Sequence, residues 1–134
     1  MKTKSLGFIG GGRITKVILQ AIANNKTEYK AIVVYDTNSG VLAALKNQFP
    51  GILLADSASE AANQDMVFIA LHPPVIMDSL NSIKDFVNKT SVFISLAPKI
   101  TIEKISSVLG NQNVVRLIPN ATSFINQGYK NNFF

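Results

Sequence analysis

Apolar and polar positions along this chain fall into blocks that switch between two periods. Leu6 to Ile9 is a short unbroken apolar run, as expected of a strand covered on both faces. It leads straight into Gly10-Gly11-Gly12. Beyond the glycines, Ile14, Val17, Ile18, Ala21 and Ile22 recur at helical spacing and form one stripe for burial against a core. Ala31 to Tyr35 is a second apolar run, and it ends at Asp36. Thr37-Asn38-Ser39-Gly40 is turn and cap chemistry. A helical stripe at Val41, Leu42, Leu45 and Phe49 follows, stopped by Pro50-Gly51.

The same alternation continues to the end. Ile52 to Ala55 predicts a short third strand. Ser57, three residues before Glu60, predicts a capping box that opens a short helix ending near Asn63. Met66 to Leu71 predicts a central strand. Pro73-Pro74 cannot extend it but suits a first helical turn, and Ile76, Leu80, Ile83 and Val87 follow at helical spacing. Ser91 to Ser95 predicts a fifth strand. Thr101 caps a helix carrying Ile102, Ile105 and Leu109, which Gly110 ends, and Val114 to Ile118 predicts a sixth strand broken by Pro119.

Strands alternating with helices, without repeat or linker, predict an α/β fold. Right-handed crossovers make it a doubly wound parallel sheet in three layers, the Rossmann arrangement, most simply in strand order 3-2-1-4-5-6. Ligands on such a sheet bind at the carboxyl ends of strands one and four, where the order reverses. Gly10 to Arg13, Asp36 to Asn38, and Leu71 to Pro74 are therefore expected around one crevice.

Residues 5–36 carry the chemistry of a dinucleotide-binding βαβ unit. Glycine allows a tight turn and close approach of the backbone to a pyrophosphate. The free N–H groups and positive dipole end of the following helix favour the phosphate charge. Asp36 lies 24 positions past Gly12 (36 − 12), near the spacing of roughly 20 at which an acid meets the adenosine ribose. By itself such a carboxylate favours NAD over NADP, whose 2′-phosphate it repels. Arg13 could pair phosphate oxygens with its guanidinium fork, or lie on the helix surface. Thr15 stands where the fingerprint has its third glycine. That position serves close helix–strand packing, so Thr15 is expected to push the helix slightly outward without abolishing phosphate binding. The alternative is a glycine-rich turn that binds nothing.

Composition narrows the other possibilities. A chain of 134 residues is one domain's worth, and its 47% hydrophobic and 16% charged content excludes disorder. Without cysteine there is no disulfide framework, thiolate metal site or cysteine nucleophile. The absence of a secretory signal or membrane span in the sequence leads to an expected cytoplasmic location. The formal charge of +5 comes from lysines scattered over helix faces and turns. No basic cluster interleaves with aromatics, so nucleic acid is not the expected partner. A single histidine, His72, makes no metal site. Ser5, Ser95 and Ser123 have no histidine and acid with which to form a hydrolase triad.

The stretches GFIGGGRI, VVYDTN, VFIALHPPVI, VFISLAPKITIEKI and VVRLIPNATSFINQGY resemble, in order and spacing, the N-terminal domain of pyrroline-5-carboxylate reductase. The likeness covers nearly the whole chain. Its most specific pieces are Ala70-Leu71-His72-Pro73 and the element formed by Arg116, Pro119 and Asn120. The resemblance implies hydride transfer from NAD or NADP to the imine carbon of 1-pyrroline-5-carboxylate, giving proline. It assigns Gly10, Gly11, Gly12, Arg13 and Ile14 to the pyrophosphate turn and Asp36, Thr37 and Asn38 to the adenosine ribose. Ala70, Leu71, His72 and Pro73 then line the nicotinamide side, with Ala97 and Asn120 nearby. It assigns no catalytic residue here.

Departures from the family's pattern fall in the loops that face cofactor and substrate. His72 stands where lysine is usual, Arg13 where asparagine is, Pro98-Lys99 where Ala-Gly is, and Ala121-Thr122 where Thr-Pro is. The family also has a second, helical domain that forms the dimer and completes the imine site, whereas this sequence stops at Phe134. Residues 1–134 are thus expected to be a cofactor-binding domain, inactive by itself. The apolar tail (Phe124, Tyr129, Phe133, Phe134) would lead into that second domain or, left exposed, mediate self-association. Two rival readings are another NAD(P)-dependent dehydrogenase on the same fold and a non-catalytic nucleotide-binding module.

Overall fold

Strands whose residues are apolar at every position can be buried only between two layers of helices, and the chain folds in this way. A computed structural model describes residues 4–26, 28–71, 73–97, 100–110 and 113–117. In chain order the elements are β1 (Ser5–Ile9), α1 (Arg13–Asn24), β2 (Ala31–Tyr35), α2 (Ser39–Gln48), β3 (Leu53–Leu54) and α3 (Ala58–Ala62). Then come β4 (Met66–Ile69), α4 (Pro73–Ile83), β5 (Val92–Ser95), α5 (Ile102–Leu109) and β6 (Val114–Arg116). All strand pairs are parallel, in the order β3-β2-β1-β4-β5-β6. The expected doubly wound sheet is the observed one.

Alternate residues of β1, β2, β4 and β5 enter opposite cores. On one face Ile9, Val67, Ile69 and Phe93 pack with Ala61 and Ala62 of α3, Ile76, Leu80 and Ile83 of α4, and Ile105 and Leu109 of α5. On the other, Leu6, Phe8, Val34, Phe68 and Ile94 pack with Ile18 and Leu19 of α1 and Leu42 and Leu45 of α2. Phe8 and Phe68 are register partners on neighbouring central strands, and their rings stack with centroids 4.7 Å apart. Both are fully buried, so truncating either to alanine would cost about 3–5 kcal/mol.

The helix ends follow the predicted chemistry. Asn38 Oδ1 accepts from the N–H groups of Gly40 and Val41, Ser57 Oγ from Glu60, and Thr101 Oγ1 from Lys104. Glu60 closes its capping box one residue early, accepting from the Asp56 N–H at 2.8 Å. Gly110 ends α5 with φ +65°.

Several strands are shorter than their apolar runs. The fourth ladder stops at Ile69, although Ala70 still donates to Ile9 O and Leu96 to Ile69 O. The fifth starts at Val92 rather than Ser91. The third is only Leu53–Leu54, whose side chains are 53% and 39% exposed on the sheet edge. Its buried residues are the flanking Ile52 and Ala55. The sixth runs from Val114 to Arg116, and Ile118 lies outside the described residues.

At the amino end of the sheet, Asp65 ties two strands together. Its carboxylate accepts the Ser5 N–H at 2.8 Å and the Ser5 hydroxyl at 3.2 Å, while its own N–H donates to Ser5 Oγ at 3.0 Å. The Ser5 N–H bond above all, helped by the Ser5 hydroxyl and by Lys4 and Lys30, lowers the Asp65 pKa against a smaller opposing effect of burial.

Candidate functional site

At the opposite, carboxyl end the three predicted turns meet. Gly10 takes φ +109°, a conformation that L side chains rarely adopt. A Cβ there would also collide with the Ala70 carbonyl oxygen and press on Leu71. The Gly10 N–H donates to Tyr35 O at 2.7 Å, which joins the turn to the end of β2. Gly11 is buried beside Leu45, Val41 and Asp36, whereas nothing lies within 4 Å of a Cβ placed on Gly12. Gly12 is therefore the point at which a ligand could come against bare backbone.

Asp36 is held from two sides. Its Oδ2 accepts the Gly11 N–H at 2.7 Å and its Oδ1 the Asn38 N–H at 2.8 Å. The carboxylate thus spans from the glycine turn to the cap of α2, with lone pairs left on both oxygens. Thr37 and Asn38 are exposed beside it.

The amino end of α1 differs from those of α2, α3 and α5. Gly12 occupies its N-cap position with no side-chain cap, and the first turn contains no acid. The first backbone N–H groups of a helix have no acceptor within it, so here they and the dipole face the crevice without a built-in anion. Arg13 and Lys16 are exposed on this end. With Gly11, Gly12, Val41, Ala44, Leu45 and Gln48 they line a cleft of about 190 Å³ between α1 and α2. The side chain of Ile14 packs against the core of this face, leaving only its backbone to a ligand.

Thr15 is tied to the turn that it follows. Its side chain is fully buried, and its hydroxyl donates to Gly10 O at 2.6 Å. The hydroxyl thus joins the first turn of α1 to the glycine turn.

On the far side of the crevice, Ala70 and Leu71 are half-buried against the two cores. Pro73 begins α4. Ala97 is buried under the end of β5, its N–H donating to Ser95 Oγ at 3.3 Å. His72, Asn120 and the tail carrying Phe124, Tyr129, Phe133 and Phe134 lie outside the described residues. Among the described residues no three His, Cys, Asp or Glu side chains group as metal ligands, and no helix is long and apolar enough to cross a membrane.

Sequence reasoning passed over Lys16, although it lies three residues past Arg13 and so on the same helical face. It also missed the wall that α2 supplies to the cleft, because nothing in a helical stripe tells which residues border a neighbour's amino end.

A family model described as "NADP oxidoreductase coenzyme F420-dependent" matches residues 5–99. The pyrroline-5-carboxylate reductase of Escherichia coli (strain K12) is 35% identical over 128 residues, covering 93% of this chain and 47% of that protein. The chain therefore spans about half the length of the curated relatives it matches. A pyrroline-5-carboxylate reductase structure from Coxiella burnetii aligns with TM-score 0.78 and 27% identity, over 90% of this chain and 45% of that one. The pyrroline carboxylate reductase of Plasmodium falciparum, solved with NADP bound, shares the fold at TM-score 0.76 and 23% identity, over 93% and 45%. The resemblance carried by the glycine turn and the later loops is borne out.

Proposed function

The chain belongs to the family described as NADP oxidoreductase, coenzyme F420-dependent, and from that membership we infer that it is the dinucleotide-binding domain of a reductase of the pyrroline-5-carboxylate reductase type. Its coenzyme is NAD or NADP. What carries this reading is the meeting of an uncapped helix end with a glycine turn, beside a carboxylate that the same turn holds in place.

The residues present fit such a coenzyme. The open backbone at Gly12 and the first turn of α1 take the pyrophosphate, as helix amino ends take anions generally. Arg13 and Lys16 add mobile positive charge on one side. Asp36, already oriented by two N–H donors, accepts the adenosine ribose hydroxyls, with Thr37 and Asn38 at its edge. Ala70 and Leu71 border the nicotinamide end, the side to which the resemblance also assigns His72, Pro73, Ala97 and Asn120.

The oriented carboxylate favours NAD, because a 2′-phosphate would meet a fixed negative charge. Calorimetric titration with NADH and NADPH tests this. Binding of NADH in preference is expected; tighter NADPH overturns the preference, and binding of neither overturns the site.

The bound coenzyme supplies the hydride for reducing an imine carbon, and the protein's share is orientation and electrostatics. The substrate proposed is the cyclic imine 1-pyrroline-5-carboxylate, and the rest of its pocket comes from a second, helical domain of the kind the resemblance implies. Oxidation of NADH or NADPH by the protein of the full native reading frame, dependent on 1-pyrroline-5-carboxylate, is the check. No oxidation with that imine would return the chain to a nucleotide-binding module.

A further inference from the structure

The peptide group between Gly10 and Gly11 is gripped at both ends. Its carbonyl oxygen accepts the Thr15 hydroxyl at 2.6 Å in a fully buried position, and its N–H donates to Asp36 Oδ2 at 2.7 Å. A trans peptide is planar, and its C=O and N–H point in opposite directions. One rigid plate is thus bolted to the first turn of α1 on one side and to the end of β2 on the other. A plate between two glycines is the one that most needs fixing, since neither neighbour has a Cβ to restrict its rotation. Gly10 already sits at φ +109°.

The direction of the plate matters for an anion. With the carbonyl turned inward to Thr15, no oxygen of this peptide enters the phosphate cradle at Gly12. Rotated by half a turn, the plate would point its oxygen at the Asp36 carboxylate and leave the Thr15 hydroxyl buried without a partner. Both changes are costly.

We propose that Thr15, in the place of the fingerprint's third glycine, is a positioning residue that locks the Gly10–Gly11 peptide in its phosphate-accepting orientation. This rests on the dinucleotide reading above. The third glycine of the usual fingerprint gives close helix–strand approach by having no side chain. Here a buried side chain fills that space and is tied to the turn by its hydroxyl. Restoring the glycine should therefore weaken the site, although it would complete the motif.

Three variants and two readouts test the proposal. Thr15→Val keeps the shape and removes the donor, Thr15→Ser keeps the donor, and Thr15→Gly completes the fingerprint. The ligand-free readout is hydrogen exchange of the Gly11 amide. Thr15→Val should exchange about tenfold faster than the wild type and Thr15→Ser within about twofold of it. The second readout is the Kd for NADH and NADPH. Thr15→Val and Thr15→Gly should bind roughly three- to tenfold more weakly, with serine restoring most of the loss. A lower thermal midpoint in Thr15→Val with an unchanged Kd would reduce Thr15 to a packing role and overturn the proposal. So would a Thr15→Gly chain that binds as tightly as the wild type. A wild-type chain that binds neither nucleotide refutes the proposed function and, with it, the lock's purpose, while Gly11 exchange still shows whether the lock exists.

Discussion

The Asp36 carboxylate reaches back across the turn to the Gly11 N–H, 2.7 Å from its Oδ2, and forward to Asn38, 2.8 Å from its Oδ1. The acid proposed to read the ribose therefore also shapes the turn that holds the pyrophosphate. Replacing Asp36 with asparagine keeps one acceptor, removes the charge and puts an NH₂ where the second acceptor was. NADH affinity should fall about tenfold, since a charge-assisted hydrogen bond is worth roughly 1.5–3 kcal/mol and part of it survives. NADPH affinity should fall less, because the charge opposing a 2′-phosphate is gone. Calorimetry with both nucleotides checks this, and equal losses would mean that Asp36 shapes the turn without selecting the cofactor.

Arg13 and Lys16 lie one helical turn apart on the cleft beside Gly12. Both are exposed, so their contribution to anion binding is a screened one. Arg13→Ala should weaken nucleotide binding roughly three- to tenfold at low salt, with the difference shrinking towards 1 M salt, where the Debye length is about 3 Å. A mutant that binds like the wild type at low salt would leave Arg13 as a surface residue.

The strand–turn–helix–strand frame was legible because the continuous apolar runs of Leu6 to Ile9, Ala31 to Tyr35 and Met66 to Ile69 belong to strands with helices on both faces. The convergence of Gly10, Asp36 and Ala70 followed from the strand order alone. What the sequence could not show was which way a side chain turns. Thr15 in a glycine's place reads as a bulkier packing residue, and only the structure shows its hydroxyl bonded to Gly10 O within the turn. Ile52 to Ala55 reads as a strand, but only Leu53–Leu54 pair, at the sheet edge, while Ile52 and Ala55 are the residues buried. Propensity is blind to both, since the first depends on a side-chain bond to a carbonyl five residues back and the second on the place of β3 in the sheet.

The two glycines of β1 and its turn make separate demands. A Cβ on Gly7 would collide with the Ala61 carbonyl oxygen of α3. Gly7→Ala must push that helix off the sheet, at a cost of about 1–3 kcal/mol or more. Gly10→Ala adds a positive φ to its collision with Ala70 O and should lose nucleotide binding as well as stability. Thermal unfolding beside NADH titration separates them: Gly7→Ala is expected to lower the midpoint with little change in Kd for the folded fraction, while Gly10→Ala shifts both.

Acid sensitivity should trace in part to the other end of the sheet. The Ser5 N–H and hydroxyl hold the Asp65 pKa below the group's ordinary 3.8. A carboxyl whose folded pKa is depressed contributes stability that is fully present above its unfolded value and is lost as pH falls through the folded one. The Asp65 contribution should therefore be constant from neutral pH to about 5 and decline below 3.8. Asp65→Asn cannot ionise and presents one acceptor to Ser5. It should be less stable than the wild type by about 1 kcal/mol at neutral pH, a modest figure because the group is only half-buried. As the pH falls through the lowered folded value the wild type protonates and the gap should close. Unfolding midpoints of both chains from pH 7 to pH 2 give the answer. A gap that stays constant over that range would mean that the bond to Ser5 does not depend on the charge.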